Sequence, residues 1–457
     1  MVREARVIVG PGVREHPLLL PEVGFHLGAR LLDFDDVNST PTTQPGGGME
    51  VLYGKCAGLD VHKDSVVACI RMQEGPQASY RIETFGTTTQ ALLKLSEWLI
   101  EYSVTHVAME ATGVYWKPVW HILDGEFELV LANAMHIQNV PGRKTDVKDA
   151  QWIADLLAHG LIRSSFVPPT TIQDMRLLMR TRKQLVRERG QHVQRIQKTL
   201  EDANIKIASV VSDITGVSGQ AILRAIVKGE TDPDQLVAVT TGRLKASAAT
   251  LREALRGRIR QPHRLLLKLH LDQIESIEKS IADVDREVGA LLEPFRAKSK
   301  RLTTIPGVSD VVAQVIISEI GTDMSRFPTA AHLISWAGLC PRNDESAGRR
   351  RSNRLRPGAR WLKTTLIQAG WAAARGKTAG YLPAQFRRIQ SRRGPQKAVV
   401  AVAASILTAA YYMLRDDVDY RDLGPAHFDS ADREKVAARL VKRLATLGVK
   451  VQIVEAA

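Results

Sequence analysis

The sequence predicts an α/β domain built on a mixed sheet, followed by a mainly α-helical region. Two observations predict it. Between residues 50 and 165, short apolar runs alternate with amphipathic stretches. Beyond Pro168 and Pro169, apolar residues recur at three- and four-residue spacing over long segments. In order, VLYGKCAGLDVH, SVVACIRM and SYRIETF read as three strands, with the turn EGPQ between the second and third. ALLKLSEWLIEY is an amphipathic helix with Leu92, Leu95, Leu99 and Tyr102 on one side. THVAMEAT is a short strand, VYWKPVWHILD a helix, FELVLANA a strand, and DVKDAQWIADLLAHG a helix ending at glycine. Three meandering strands and then alternating helices and strands make an α/β layer.

A long basic helix is predicted over 171–202, and a second long helix carries Leu267, Ile274, Ile277, Ile281, Val284, Val288 and Leu291. The heptad spacing from Ile274 onward suggests a coiled-coil pair or a dimer contact. RLTTIPGVSDVVAQVIISEIG reads helix, tight turn at Pro306-Gly307, helix, a helix–hairpin–helix pattern suited to holding a phosphate. The expected organisation is a flexible extension at 1–48 ahead of Met49, an α/β domain at 49–168, a helical region at 169–298, a mainly helical domain at 299–415, and a partly helical tail at 416–457.

At 457 residues the chain is long enough for two to four domains. Its net charge of +14 favours a polyanionic partner. Three cysteines form neither a disulfide framework nor a metal-binding pair, and Cys56 and Cys69 read as small core residues. No run of about 18 apolar residues occurs, so no membrane span is expected.

Four acids stand out: Asp60 in GLDVHKD, Glu110 in VAMEATG, and Asp146 and Asp149 in KTDVKDA. The first two sit beside strand-like runs. The last two lie three apart in a helical pattern and so share a face. Strand, strand and helix carboxylates suit Mg²⁺ or Mn²⁺, which take oxygen ligands and stabilise the attacking and leaving oxygens of a phosphodiester displacement. Lys63 and His62 beside Asp60, and Lys144 and Thr145 beside the helix acids, could contact phosphate. Tyr115 and Trp116 either stack on a base or pack in the core.

Residues 342–363 form an arginine-dense, glycine-containing loop: Arg342, Arg349, Arg350, Arg351, Arg354, Arg356, Arg360 and Lys363. Arginine forks match phosphate oxygens. Ser346 lies among them. A serine attacking a phosphodiester needs such cationic surroundings, and Ser352 is the second candidate. A further basic run follows at Arg387, Arg388, Arg392, Arg393 and Lys397.

GLDVHKD, MEATGVYW, KTDVKDA, IPGV and SWAGLCPR…SAGRR, in that order, resemble the insertion-sequence transposases that join an N-terminal DEDD, RuvC-like (RNase H-like) domain to a C-terminal serine-bearing domain. Piv DNA invertases share the plan. The resemblance covers about residues 50–400. It implies that Asp60, Glu110, Asp146 and Asp149 are the DEDD set, that Ser346 is the nucleophile, and that acids and serine form a composite site. It also implies donor and target DNA as partners, a structured bridge RNA, a dimer or tetramer, and a cytoplasmic, nucleoid-associated protein of a prokaryote. Where the family shows two adjacent serines, this chain has Glu345-Ser346. Two other readings remain: a RuvC-like nuclease using metal-activated water without a covalent step, and a non-catalytic nucleic-acid-binding protein.

Overall fold

The computed structural model describes residues 5–9, 50–75, 77–111, 113–132, 149–162, 164–241, 246–341, 344–346, 349–352, 354–377, 379–430, 433–446 and 451–455. It divides near Pro168 into two compact units.

The first unit is the α/β one. After β1 (Ala5–Val9), which belongs elsewhere, come β2 (Lys55–Val61), β3 (Ser65–Glu74), β4 (Gln77–Gly86), α1 (Thr89–Glu101), β5 (His106–Glu110), α2 (Trp116–Leu123), β6 (Glu128–Ala132) and α3 (Asp149–Ala158). The sheet order is β4-β3-β2-β5-β6. The β2–β3 and β3–β4 pairs are antiparallel, as short turns allow, and β2–β5 and β5–β6 are parallel, as helical crossovers require. This is the mixed sheet the sequence predicts.

Strand alternation divides the burial. Ala57, Leu59, Val61, Val107 and Met109 pack with Leu92, Leu95 and Leu99 of α1 and Val119 and Leu123 of α2. Each fully buried leucine contributes roughly 1.5–3 kcal/mol. Cys56, Ala108 and Ala132 face the other way, onto Ile153, Leu156 and Leu157 of α3. Both Cys56 and Cys69 are core residues, and burial pushes their thiols up to about 12.

The second unit is helical. α4 (Thr170–Asp202) and α5 (Gln261–Leu291) form its long antiparallel pair, and short helices fill residues 207–254 between them. Arg182 pairs with Asp285 at 2.5 Å and Arg189 with Glu278 at 2.7 Å. Of the expected apolar seam, Ile274 packs with Leu267 and Leu271 against Ile196, Leu200 and the short helices; Ile277 and Val288 are also buried, and Ile281, Val284 and Leu291 are half-buried.

Then come α6 (Arg296–Leu302), α7 (Asp310–Ile320), α8 (Ala330–Trp336), β7 (Asp344–Ser346), β8 (Arg349–Ser352), α9 (Arg360–Arg375), α10 (Tyr381–Arg393) and α11 (Pro395–Asp416). The division expected between residues 298 and 299 is bridged by buried polar contacts. Glu319 on α7 is 2 % exposed and accepts both Arg180 nitrogens at 2.8 Å. Arg176 donates to the Ser318 and Glu319 carbonyls at 3.1 and 2.6 Å. Burial lowers Arg176 to about 10, against the opposing pull of Glu319. Lys183 donates to the Trp361 carbonyl and the Thr364 and Thr365 hydroxyls, at 3.3, 2.5 and 3.0 Å.

The tight turn at Pro306-Gly307 packs against α9. Gly307 has φ +86°, and a Cβ there would meet Ala369 O of α9 at 2.4 Å. Among the described residues one helix, α11, is long and apolar enough to cross a membrane, although the residue pattern suggests no such run; 61 % of its apolar window is buried inside the unit. Within the expected flexible extension, Ala5–Val9 forms β1 and joins β9 (Val451–Glu455) in a two-stranded sheet. The tail also carries α12 (His427–Ser430) and α13 (Arg433–Thr446).

Glu319→Ala removes the acid that the half-buried Arg180 and Arg176 share, while Arg176 keeps its two carbonyl acceptors. It should lower unfolding stability by about 1–3 kcal/mol in denaturant titration.

His192 and His270 face each other across α4 and α5, Nδ1 to Nδ1 at 3.2 Å. Burial holds both below the usual histidine range, and neighbouring charge at Arg195 adds to it. A histidine depressed in the folded state binds its proton first in the unfolded chain. Stability should therefore fall as pH drops below about 6.5. His270→Gln should flatten that part of the melting-temperature profile.

Candidate active site at the sheet edge and the arginine hairpin

In the α/β unit, β2 and β5 run parallel with Leu59 beside Met109, so the next step brings Asp60 abreast of Glu110. Glu110 ends β5, Asp60 stands one residue before the end of β2, and both are half-buried. Alternation places them on the face that α3 covers, two residues beyond Gly58 and Ala108 respectively.

The direction of α3 follows from its contacts. Leu52 and Tyr53 amides donate to the Ala158 carbonyl at 2.8 and 3.2 Å. Further along β2, the Cys56 thiol lies 3.5 Å from the Ala154 carbonyl. Further still, a Cβ on Gly58 would meet Ala150 O at 2.2 Å and Ala154 N at 2.4 Å. Residue numbers fall along α3 as they rise along β2, so the helix runs antiparallel to the strand. Its N-terminus, with Asp149, therefore points to the end where Asp60 and Glu110 stand. Asp149 lies in the first helical turn, where the helix dipole favours a carboxylate, and its Oδ1 is buried.

A second contact fixes the roll of α3. Asp155, six residues after Asp149, accepts Arg71 Nε at 3.0 Å and the Tyr80 hydroxyl at 2.8 Å. Arg71 is 4 % exposed and also donates to Gln73 at 2.9 Å. Burial, with Asp155 accepting the hydroxyl, pushes Tyr80 above its usual range. Gly58, Arg71, Tyr80 and Asp155 carry no sequence motif of their own. Only the glycine immediately before Leu59-Asp60 hints at close packing.

An all-carboxylate donor set suits a hard divalent cation. The three described acids share one edge and one face, yet no three metal-ligating side chains are grouped closely enough to enclose an ion among the described residues. Asp146, the fourth, lies outside the described residues, as do Lys144 and Thr145. His62 Nε2 sits 3.2 Å from Asp60 Oδ2, and its side chain is 57 % exposed. Lys63 is exposed, its carbonyl accepting the Thr87 hydroxyl at 3.0 Å. Trp116 packs against the core and on Trp120, whereas Tyr115 is 41 % exposed.

In the helical unit, the expected arginine loop contains an antiparallel hairpin. Asp344 pairs with Ser352, Glu345 with Arg350, and Ser346 with Arg349, with an irregularity between Asp344 and Glu345. Arginine runs without β-branched or aromatic residues give no strand signal, which is why the pattern reads as a loop. Arg351 lies on β8, and Arg342 outside the described residues. Arg354, Arg356 and Arg360 are exposed. Lys363 is half-buried: its ammonium donates to the Arg356 carbonyl at 3.1 Å, and burial lowers its pKa.

Residues 57–205 match a family described as Transposase, the DEDD domain of the IS110 type. Residues 299–382 match the Transposase IS116/IS110/IS902 family. The pilin gene-inverting protein of Moraxella bovis is 21 % identical over 375 residues, covering 79 % of this chain and 95 % of the relative. Its Moraxella lacunata counterpart matches to the same extent. An insertion element IS110 uncharacterized 43.6 kDa protein of Streptomyces coelicolor is 31 % identical over 149 residues, 32 % of this chain and 36 % of the relative.

Gly58→Ala puts a methyl group inside the α3 backbone. Overpacking of this kind costs about 1–3 kcal/mol, and here the helix must shift. The variant should melt lower and lose metal-dependent activity, whereas Gly54→Ala, with open space around its Cβ, should not.

Proposed function

We propose that this chain, which carries both domains of the IS110-family transposases and is a DNA transposase, cuts and rejoins DNA through a serine ester. The observation that carries the reading is the convergence of Asp60, Glu110 and Asp149 at one end of the sheet, in the region matched to the DEDD transposase domain.

Asp60, Glu110 and Asp149, with Asp146, are the residues that would hold a divalent cation, Mg²⁺ or Mn²⁺. Such an ion, when bound, neutralises charge at the scissile phosphate. The Ser346 hydroxyl attacks phosphorus. A bond forms from its Oγ, one P–O bond of the DNA backbone breaks, and the hydroxyl proton ends on the released sugar oxygen. Reversal with a new strand end rejoins the DNA and frees the serine. Arginines of the hairpin region, Arg349, Arg350, Arg351, Arg354 and Arg356, offer donors to the phosphoryl oxygens. Likeness to gene-inverting proteins over nearly their whole length supports rejoining, because an inverted segment must be reconnected. A bridge RNA as guide and a dimeric or tetrameric assembly belong to the same reading and rest on the family resemblance.

Ser346→Ala should abolish recombination and the phenol-resistant protein–DNA adduct while DNA binding stays intact. An adduct formed by that variant would remove Ser346 from the reaction, and Ser352→Ala is then the next variant to assay. Cleavage by the wild type with no adduct at all would favour metal-activated water. Asp60→Asn and Asp149→Asn should each lower recombination at least a hundredfold; full activity in both would make the carboxylates structural.

A further inference from the structure

From Ser346 to Arg415 the chain has fifteen lysines and arginines and no aspartate or glutamate. Part of this charge lies around the β7–β8 hairpin. Another part lies where α10 ends and α11 begins. There Arg387, Arg388, Arg392, Arg393 and Lys397 are all exposed, and none forms an ion pair among the described residues.

The basic run on α4 shows the contrast. Arg180, Arg182 and Arg189 are each held by an acid from another helix: Glu319, Asp285 and Glu278. Those arginines hold the fold together. The α10–α11 cations do not. Leu382 and Phe386 supply the buried side of α10, with the Phe386 ring 5.6 Å from Trp371, and the arginines lie away from it. Arg388 rests 5.0 Å over the Phe428 ring, which stacks at 4.9 Å on Tyr381. The patch thus has an aromatic floor, and Asp422 accepts the Tyr381 amide at 2.9 Å beside it.

Its local energetics are unfavourable. Arg388 and Arg392, four apart on one helix face, repel. Cations in the last turn suit a helix C-terminus, which accounts for Arg392 and Arg393. It does not account for Lys397, in the first turn of α11, where the dipole disfavours a cation. An anion seated at this junction would meet the start of a 22-residue helix as well as the side chains.

We propose that the α10–α11 junction is a docking surface for the DNA phosphate backbone. It lies past residue 382, where the second transposase match ends. The proposal rests on DNA being the substrate and is independent of the serine and carboxylate roles. The partner is DNA because the chain is a DNA transposase; charge alone would not select it.

The test uses the full-length protein and duplex DNA, with affinity measured across a range of salt concentrations. The variant carries Arg387→Gln, Arg388→Gln, Arg392→Gln, Arg393→Gln and Lys397→Gln. The slope of log K against log salt should shrink by about 0.9 for each phosphate no longer neutralised, hence by about 3 or more, with the melting temperature unchanged. A control with Lys94→Gln and Lys228→Gln should keep the wild-type slope. If the fivefold variant does not fold, the pairs Arg387→Gln/Arg388→Gln and Arg392→Gln/Arg393→Gln should each lower the slope by about 2. An unchanged slope overturns the proposal. So does an equal fall per charge in the control, or weakened binding to a structured RNA with DNA binding intact.

Discussion

The α/β unit depends on one close approach. Gly58 has no side chain, so the backbone of α3 lies directly on β2, nearer than any Cβ would permit. That contact sets the height of the helix above the sheet. The Arg71–Asp155–Tyr80 cluster sets its roll. Together they decide where Asp149 points, and with it whether a helix carboxylate can join two strand carboxylates. The acids supply charge and oxygen, but a glycine and a buried guanidinium place them.

This explains what was legible in the sequence and what was not. Asp60 and Glu110 could be found because an acid at the end of an apolar strand breaks a simple pattern. The mixed sheet could be found because turn residues and apolar periods differ between meander and crossover. Gly58, Arg71 and Asp155 could not be ranked, because their partners are distant in sequence: Asp155 is 84 residues from Arg71. The hairpin at Ser346 was hidden for another reason. Its strands are short and arginine-rich, and nothing in their composition favours extended backbone. The apolar helix Pro395–Asp416 was missed as a long apolar run, yet burial among α8, α9 and α10 explains its composition.

Basic runs in this chain have two opposite meanings. On α4, Arg176, Arg180, Arg182 and Arg189 reach acids on α5 and α7 and hold the helical unit together. At the α10–α11 junction no ion pair engages the cations among the described residues, so the charge is left for a partner. Composition alone reads both as polyanion-binding; only the location of the acids separates them.

The central claim is that acids from β2, β5 and α3 bind one cation between them. Replacing the native ion with Fe²⁺ and generating hydroxyl radicals in place would map the site by cutting the polypeptide backbone nearest the metal. Cuts should cluster beside Asp60, beside Glu110 and within residues 146–149, and excess Mg²⁺ should suppress all three together. Cuts at only one of these places, or at none, would contradict a shared site.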